Sequence, residues 1–219
     1  MDQAFWHARW SRHEIGFHQP QGNPLLAAYW DDIGVPAGAE VLVPLCGKTP
    51  DMAWLAARGH TVTGVELSDT AARDFFAEQA LTAKTEDHAG FVRYTAGDIR
   101  IDVGDFFAWP DTAFAACGGF YDRASLIALP PDMRQRYADT LGRRLPAGSR
   151  GLLIGLTYPP GEIDGPPFSV DRDDVIARLS PYFDIEVLAD NDALADSANL
   201  RDRGVTSLVE TAYRLVRRA

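Results

Sequence analysis

Two short apolar runs of this chain end in residues whose types and spacing suit the binding of a nucleoside. The first run leads into a turn that contains Gly47, and the second ends in the acid Glu66, 19 residues later. In α/β nucleotide-binding units, a carboxylate about 20 residues after a glycine turn accepts hydrogen bonds from the ribose hydroxyls. An ordinary strand–turn–helix with a solvated Glu66 explains the same pattern, and the spacing leaves both interpretations open.

The composition of the turn argues against a ligand that carries phosphates. A pyrophosphate site needs several backbone N–H groups directed at one anion, usually from a glycine-rich loop. Between Pro44 and Pro50 the sequence has one glycine, Gly47. An NAD-dependent oxidoreductase therefore fits this turn poorly, whereas a nucleoside without phosphates, such as S-adenosylmethionine, fits it better.

Two further predicted strands end in side chains that suit the rest of such a ligand. One is followed by Asp105 and Phe106, an acid that can accept from the amine of adenine and a ring that can cover its face. The alternative interpretation is that Asp105 is an ordinary loop acid and that Phe106 is a core residue beside it. Another strand ends in Asp122 and Arg123, which either pair with each other or leave Arg123 to hold a ligand carboxylate.

Nucleophilic and metal chemistry have weaker support in the sequence. Cys46 lies in the glycine turn, but no histidine lies near it in sequence to activate its thiol. We therefore interpret Cys46 as a small residue at a position where a ligand contacts the backbone. The five histidines show no spacing typical of metal ligands, and we expect no metal. Cys46 and Cys117, the two cysteines, do not make a disulfide framework.

Composition indicates one globular domain spanning residues 1–219. Hydrophobic residues make up 46% of the chain, which is enough for a sizeable core. The net charge of −10 argues against nucleic acid and anionic membranes as partners. The apolar runs are far shorter than the ~20 residues that span a bilayer. Because the N-terminus has no basic region followed by an apolar stretch, we also expect no signal peptide and a cytoplasmic location.

Alternating strand and helix patterns predict an α/β fold with a mostly parallel sheet and helices on both faces. The segment at 82–97 is polar and turn-rich, and holds at most an extra edge strand at 91–94. The segment at 190–204 is predicted to be a polar loop. Seven core strands are predicted, at 41–43, 61–67, 99–103, 119–123, 151–158, 182–188 and 205–216.

An aromatic-rich segment, residues 1–32, precedes the first strand. Trp6 and Trp10 are four residues apart and share a face if this part is helical. Asn23 and Pro24 are a typical start of a second helix. The aromatic residues, Phe17 included, either pack in the core or cover the carboxyl ends of the strands, and we interpret the segment as a helical cover over that edge.

Several motifs, taken together and in order, resemble the thiopurine S-methyltransferase family and its bacterial members. The resemblance covers nearly the whole chain, from about residue 6 to residue 215. No single motif is specific to this family, but the set of motifs is. The motifs are Trp6-x-x-x-Trp10, Gly16-Phe17-His18-Gln19, Pro44-Leu45-Cys46-Gly47-Lys48, Gly64-Val65-Glu66, Tyr121-Asp122-Arg123 and Gly165-Pro166-Pro167-Phe168.

The resemblance implies a class I, Rossmann-like methyltransferase fold with a seven-stranded sheet and an antiparallel last hairpin. It also implies S-adenosylmethionine as the methyl donor and a small-molecule thiol or selenol as the acceptor. Matched by position, it assigns Trp10, Leu45, Glu66, Asp105, Phe106 and Arg123 to the cofactor, and Phe17 and Trp6 to the acceptor. The roles of Asn199, Arg201 and Arg203, in a loop that faces the acceptor in animal members, stay open.

The resemblance leaves the acceptor and the catalytic role of Arg123 undecided. Arg123 either stabilises the acceptor thiolate or binds the cofactor carboxylate. Selenium or tellurium oxyanions, halide and thiocyanate are alternative acceptors, and a cofactor sensor without catalysis is the non-enzymatic alternative. We expect a monomer.

Overall fold

The structure is a computed structural model that describes residues 3–219, so the first two positions of the predicted 1–32 cover lie outside the described residues. Within this range all strands belong to one sheet. The strands are β1 (Glu40–Pro44), β2 (Thr61–Glu66), β3 (Lys84–His88), β4 (Phe91–Ala96), β5 (Ile99–Val103), β6 (Cys117–Asp122), β7 (Arg150–Thr157), β8 (Phe183–Asp192) and β9 (Val209–Arg217).

Helices connect these strands, as the sequence pattern predicts. A 3₁₀ turn, Phe106–Ala108, follows β5. The α-helices are α1 (Gln3–Ser11), α2 (Pro24–Ile33), α3 (Asp51–Ala57), α4 (Asp69–Glu78), α5 (Asp111–Phe114), α6 (Ser125–Ala128), α7 (Pro131–Arg144), α8 (Arg172–Leu179) and α9 (Ala198–Asp202).

The centre of the sheet is parallel and its two margins are antiparallel. The strand order is β3-β4-β5-β2-β1-β6-β7-β9-β8, and β5, β2, β1, β6 and β7 run in the same direction. The chain moves outward from β1 in one direction and then returns to β6 on its other side. In open α/β sheets a ligand crevice lies at such a reversal, outside the carboxyl ends of the strands.

Burial on both faces explains why the central strands are continuous apolar runs. In β1, Val41 and Val43 pack on one face against α2, α3 and α4, while Leu42 packs on the other face in the cluster that includes α7 and α8. All three side chains are buried. This two-sided burial is typical of parallel strands that are covered by helices on both faces.

The predicted helix start at Asn23 is confirmed, and Ser68 caps α4 in the same way. The Asn23 side chain accepts the N–H of Leu25, and Pro24 occupies the first helical position. The Ser68 side chain accepts the N–H of Ala71. Both caps satisfy N–H groups that the helix itself leaves unbonded. However, α2 packs on a sheet face against β7 and β9, so only the part of the segment before Asn23 lies at the carboxyl edge.

The predicted count of seven strands is wrong, because the described residues contain nine. The additional strands are the β3–β4 hairpin, and β4 pairs antiparallel with β5, so β3 rather than β4 is the edge strand. β3 has the sequence Lys-Thr-Glu-Asp-His and is almost entirely exposed. A polar edge strand has no buried face and therefore no alternating pattern to reveal it. Its pairing comes from backbone hydrogen bonds to β4.

The boundaries near the C-terminus also differ from the prediction. β8 extends to Asp192, and α9 lies inside the segment predicted to be a polar loop. The last strand begins at Val209 rather than Val205, because Val205 instead packs with Leu200 and Leu208 in a small separate apolar cluster. Apolar residues next to a strand are difficult to distinguish from the strand itself by pattern alone.

Candidate functional site

The carboxyl ends of β1, β2, β5 and β6 meet at one edge of the sheet, because these four strands are parallel neighbours. The turn after β1 carries Leu45 and Gly47, and β2 ends at Glu66. Asp105 follows β5, and Arg123 follows β6. The fold therefore gathers residues that are up to 78 positions apart in the chain, from Leu45 to Arg123.

The Glu66 carboxylate joins the two turns at this edge. Its Oε2 accepts the backbone N–H of Gly47 at 2.8 Å, and its Oε1 accepts that of Ser68 at 2.8 Å. Glu66 is 5% exposed, and burial raises the pKa of its carboxyl while the backbone N–H groups act in the opposite direction. Because an ionised carboxylate has about four lone-pair sites, Glu66 retains acceptor capacity for a ligand hydroxyl.

The backbone of the β1 turn adopts left-handed conformations at Leu45 and Gly47. Leu45 has φ +43°, which is uncommon for a residue with a side chain, and Gly47 has φ +55°. A Cβ at Gly47 would also lie 3.1 Å from the Trp10 ring. Glycine is therefore required here for its conformation and for the close approach of Trp10. Strained backbone of this kind is concentrated at functional sites.

A cavity of about 360 Å³ opens at this edge of the sheet. Its volume falls within the usual range for small-molecule sites, about 300–1,000 Å³. The structure brings together in its wall seven of the eight predicted site residues: Trp6, Trp10, Phe17, Leu45, Glu66, Asp105 and Phe106. The remaining wall is largely apolar, and α6, α7 and the loop after β7 each contribute to it.

Arg123 lines a neighbouring cavity of about 50 Å³ rather than the large one. The two cavities share walls, including Trp10, Phe17 and Leu45. His18 and Lys48 also line the smaller cavity, so three side chains that carry or can carry positive charge surround it. The basic side chains make the smaller cavity suitable for an anion.

Arg123 and Asp122 do not pair with each other. Arg123 Nη1 donates to the backbone carbonyl of Phe17 at 3.1 Å, which ties the N-terminal segment to the end of β6. The buried Asp122 carboxylate accepts the Tyr137 hydroxyl at 2.7 Å and the Ser125 N–H at 2.9 Å. Asp122 thus fixes the turn that carries Arg123.

Another buried carboxylate, Asp51, holds three parts of the site together. It accepts the Tyr121 hydroxyl and the backbone N–H of Asn23, each at 2.9 Å. Asp51 begins α3, Tyr121 lies on β6 and Asn23 caps α2. The turn after β1, the end of β6 and the end of the N-terminal segment therefore have fixed relative positions.

The aromatic residues of the N-terminal segment form a cluster over the cavity. The Phe17 ring lies between two tryptophans, with centroids 6.0 Å from Trp6 and 5.8 Å from Trp10. Both contacts are edge-to-face, a favoured arrangement for aromatic pairs. Trp10 is buried, whereas Trp6 and Phe17 are half-buried and present surface to the cavity.

The charged groups beside the smaller cavity influence one another. Lys48 Nζ lies 2.5 Å from Glu78 Oε1, although the Lys48 side chain is only 8% exposed. Burial lowers the pKa of His18, and the nearby positive charges of Lys48 and Arg123 lower it further. His18 is therefore largely uncharged at neutral pH.

Burial raises the pKa of the Cys46 thiol, which opposes a nucleophilic role for this residue.

Sequence reasoning missed several residues of the cavity wall. Phe107 and Arg136 line it from the turn after β5 and from α7, and Pro166 lines it from the loop after β7. Arg136 resembles an ordinary solvated helix residue in the sequence, so no local pattern reveals its position. Phe106, in contrast, is almost fully buried against Phe114 and Tyr137, which leaves little of its ring to the cavity.

Of the three residues with open roles, Asn199 and Arg203 lie close to segments that line the site, whereas Arg201 does not. Asn199 approaches Gly16, where an added Cβ would meet its amide nitrogen at 2.8 Å. Arg203 donates to the Pro166 carbonyl at 3.0 Å. Arg201 donates to carbonyls within its own loop and does not line either cavity.

No group of three or more His, Cys, Asp or Glu side chains within residues 3–219 is arranged to hold a metal ion. Over the same range, no helix is both long and apolar enough to cross a lipid bilayer.

Comparison with known proteins identifies close relatives over the full length of the chain. A family model described as Thiopurine S-methyltransferase (TPMT) matches residues 1–218. The thiopurine S-methyltransferase of Pseudomonas entomophila is 49% identical over 217 residues, 99% of this chain and 100% of that protein. Its counterpart in Azotobacter vinelandii is 47% identical over 218 residues and 100% of both chains.

Solved structures share the fold at much lower sequence identity. An S-adenosylmethionine-dependent methyltransferase from Anabaena variabilis has a TM-score of 0.66 at 14% identity, covering 99% of this chain and 95% of that one. The predicted class of fold is thereby confirmed, apart from the number of strands.

Proposed function

Because the chain belongs to the thiopurine S-methyltransferase family and is thus an S-adenosylmethionine-dependent methyltransferase, we propose that it methylates the sulfur of aromatic or heterocyclic thiols. The observation that supports this most directly is the large cavity. Glu66 and Asp105 line it together with Trp6, Phe17 and other apolar groups. Such a cavity has polar groups for a nucleoside and an apolar surface for a flat acceptor.

The residues present fit the nucleoside half of the cofactor. The free lone pairs of Glu66 accept the ribose hydroxyls, while its bonds to Gly47 and Ser68 keep the carboxylate in place. Asp105 accepts from the adenine amine, and one of its oxygens is already held by the N–H of Phe107 at 2.9 Å. Leu45 and Trp10 form the wall that joins the two cavities.

The smaller cavity fits the amino-acid end of the cofactor. Arg123 and Lys48 line it, and a carboxylate is the anion that a space of about 50 Å³ beside the nucleoside site would hold. This location favours Arg123 as the ligand of the cofactor carboxylate. Stabilisation of the acceptor thiolate by Arg123 is the alternative, since Arg123 also contacts the Phe17 carbonyl.

In the bound state the cofactor supplies a methyl group on a positively charged sulfur. The chain's contribution is to align the acceptor with that methyl, which can supply up to ~7–11 kcal/mol in well-oriented reactions. Phe17 and Trp6 position the acceptor ring and exclude water. The reactive form of the acceptor is the thiolate, and because aromatic thiols ionise readily, no strong base is required of the protein. Aromatic faces near the positive sulfur add about 0.5–2 kcal/mol by cation–π attraction.

The apolar wall favours a ring-shaped acceptor over the alternative oxyanions. Ile127, Pro166 and Pro167 complete the wall that includes Trp6 and Phe17. An oxyanion of selenium or tellurium would lose its hydration there with few compensating donors. We further propose that the protein acts as a cytoplasmic monomer, built as a single domain with an N-terminal cover.

The experiment that tests the proposed function combines binding and turnover on one sample. Calorimetric titration with S-adenosylhomocysteine should show binding at one site, whereas NAD should not bind. Turnover is then measured with methyl-labelled cofactor and a panel of aromatic thiols, selenite and thiocyanate. Methylation of aromatic thiols in preference to the inorganic acceptors supports the proposal. Binding without turnover of any thiol would contradict it and would support a cofactor sensor.

A further inference from the structure

The basic side chain of Arg136 projects from α7 into the wall of the large cavity. Its guanidinium carbon lies 4.0 Å from the centroid of the Phe107 ring, within the range of a cation–π contact. Phe107 also lines the cavity, and it lies in the same turn as Asp105. Arg136 is therefore at the end of the cavity where Asp105 is placed.

The arginines that neighbour Arg136 on α7 have other partners. Arg134 lies 3.0 Å from Asp174, and Arg144 lies 3.1 Å from Asp111. Arg143 donates to the hydroxyl of Tyr182. No ion pair among residues 3–219 includes Arg136, although the chain has 31 acidic residues against 21 basic ones. Its planar donor group is thus held by a ring and retains its hydrogen-bonding capacity.

We propose that Arg136, held against Phe107, is a specificity-determining residue that binds the purine base of the cofactor. This inference rests on the proposed function. A purine edge carries both donor and acceptor groups, namely an exocyclic amine and ring nitrogens. Asp105 is an acceptor only, whereas Arg136 is a donor only. The two side chains together are complementary to the mixed edge of adenine, which neither of them matches alone.

The main alternative is that Arg136 attracts anionic acceptors to the cavity by its charge. In that case its removal would raise the KM of a thiolate acceptor and leave cofactor affinity unchanged. The position of Arg136 beside the Asp105 turn favours the base, because Trp6 and Phe17, the residues assigned to the acceptor, belong to a different element.

The test uses two ligands that share the base and differ in the amino-acid end. S-Adenosylhomocysteine carries the amino-acid tail and 5′-methylthioadenosine lacks it. Dissociation constants for both are measured by calorimetry on the wild type and on Arg136→Ala, Arg136→Lys and Arg143→Ala. Arg143 is the matched control, since it is exposed on the same helix and does not line either cavity.

Arg136→Ala should weaken both ligands by the same factor, about threefold to thirtyfold, the range that cation–π and donor contacts give. Arg136→Lys should weaken them by less, because it retains the charge but not the planar group. Arg143→Ala should leave both affinities unchanged. Because Arg136 is exposed, thermal unfolding of all variants should match the wild type.

Several outcomes would overturn the inference. Unchanged affinity of Arg136→Ala for both ligands would do so, as would a loss confined to S-adenosylhomocysteine or a rise in acceptor KM alone. In each of these cases the wild type still binds the cofactor product, so the proposed function stands. Failure of the wild type itself to bind S-adenosylhomocysteine would overturn both proposals.

Discussion

The Glu66 carboxylate accepts the backbone N–H of Gly47 at 2.8 Å, and this bond connects the turn after β1 to the end of β2. Its other oxygen accepts the N–H of Ser68, which caps α4. Glu66 therefore maintains the shape of the turn after β1 in addition to the proposed contact with a ribose. A substitution at Glu66 has two consequences, one for the ligand and one for the turn.

Replacing Glu66 should weaken cofactor binding. Glu66→Ala removes a charged acceptor of ribose hydroxyls and frees the N–H of Gly47, so S-adenosylhomocysteine should bind about 1–3 kcal/mol more weakly. Calorimetry measures this loss. Glu86→Ala, on the exposed edge strand β3, is the control and should bind normally. A folded Glu66→Ala protein with wild-type affinity would contradict the ribose assignment.

The Phe17→Ala variant should damage the acceptor site and largely spare the cofactor site. The ring lies between Trp6 and Trp10 at the large cavity, while the tie to Arg123 uses the backbone carbonyl, which alanine retains. Steady-state kinetics should show a raised KM for the thiol and a nearly unchanged dissociation constant for S-adenosylhomocysteine. Phe5→Ala is the matched control, because Phe5 contacts Trp6 without lining either cavity. Equal loss of both affinities would indicate a core role for Phe17.

The Arg123→Gln variant separates the two roles proposed for this arginine. If Arg123 binds the cofactor carboxylate, S-adenosylhomocysteine should bind about tenfold or more weakly, as expected for a lost charge-assisted bond. 5′-Methylthioadenosine, which lacks the carboxylate, should bind normally. If the variant instead binds both ligands normally and loses kcat, the role of Arg123 is at the acceptor thiolate.

Neither cysteine should react while the protein is folded. Burial raises the pKa of both Cys46 and Cys117, so little thiolate is present at neutral pH. A chromogenic disulfide reagent should modify both thiols only at the rate of unfolding. Cys46→Ser should retain kcat, because its hydroxyl can replace the thiol that bonds to the Gly47 carbonyl. Loss of activity in a folded Cys46→Ser protein would revive the nucleophilic interpretation.

The pH dependence of stability should contain a contribution from His18. Its pKa in the folded protein is below the usual 6.5, because of burial and then of Lys48 and Arg123. Below pH 6.5 the unfolded chain binds a proton at His18 more readily than the folded chain, so stability falls as pH decreases. The contribution is fully present above pH 6.5 and is lost as pH falls through the folded pKa. Urea unfolding at pH 7.5 and 5.5 should show a larger decrease for the wild type than for His18→Gln, and equal decreases would contradict this.

Much of the site could be predicted because strand ends are local features of the sequence. Gly47 and Glu66 each follow an apolar run that has to be a buried strand, and in a parallel sheet such ends meet at one edge. Asn23 and Ser68 are likewise local signals, since a cap satisfies the first N–H groups of its own helix. Gly47 and Glu66 could therefore be proposed as ligand-binding positions, and Asn23 as a helix start, without knowledge of the tertiary structure.

Other contacts depend on packing between distant segments, which no local pattern encodes. Arg123 reaches a carbonyl 106 residues away, and which of its possible partners it takes is decided by how the N-terminal segment docks. Arg136 looks like any exposed helix residue until α7 is packed beside the Asp105 turn. The polar strand β3 exists through backbone bonds that are independent of its side chains. Hydrophobic periodicity and turn residues thus determined the order of the central parallel strands and which strand ends meet at one edge of the sheet, whereas the tertiary structure decided which charged side chains face the cavities.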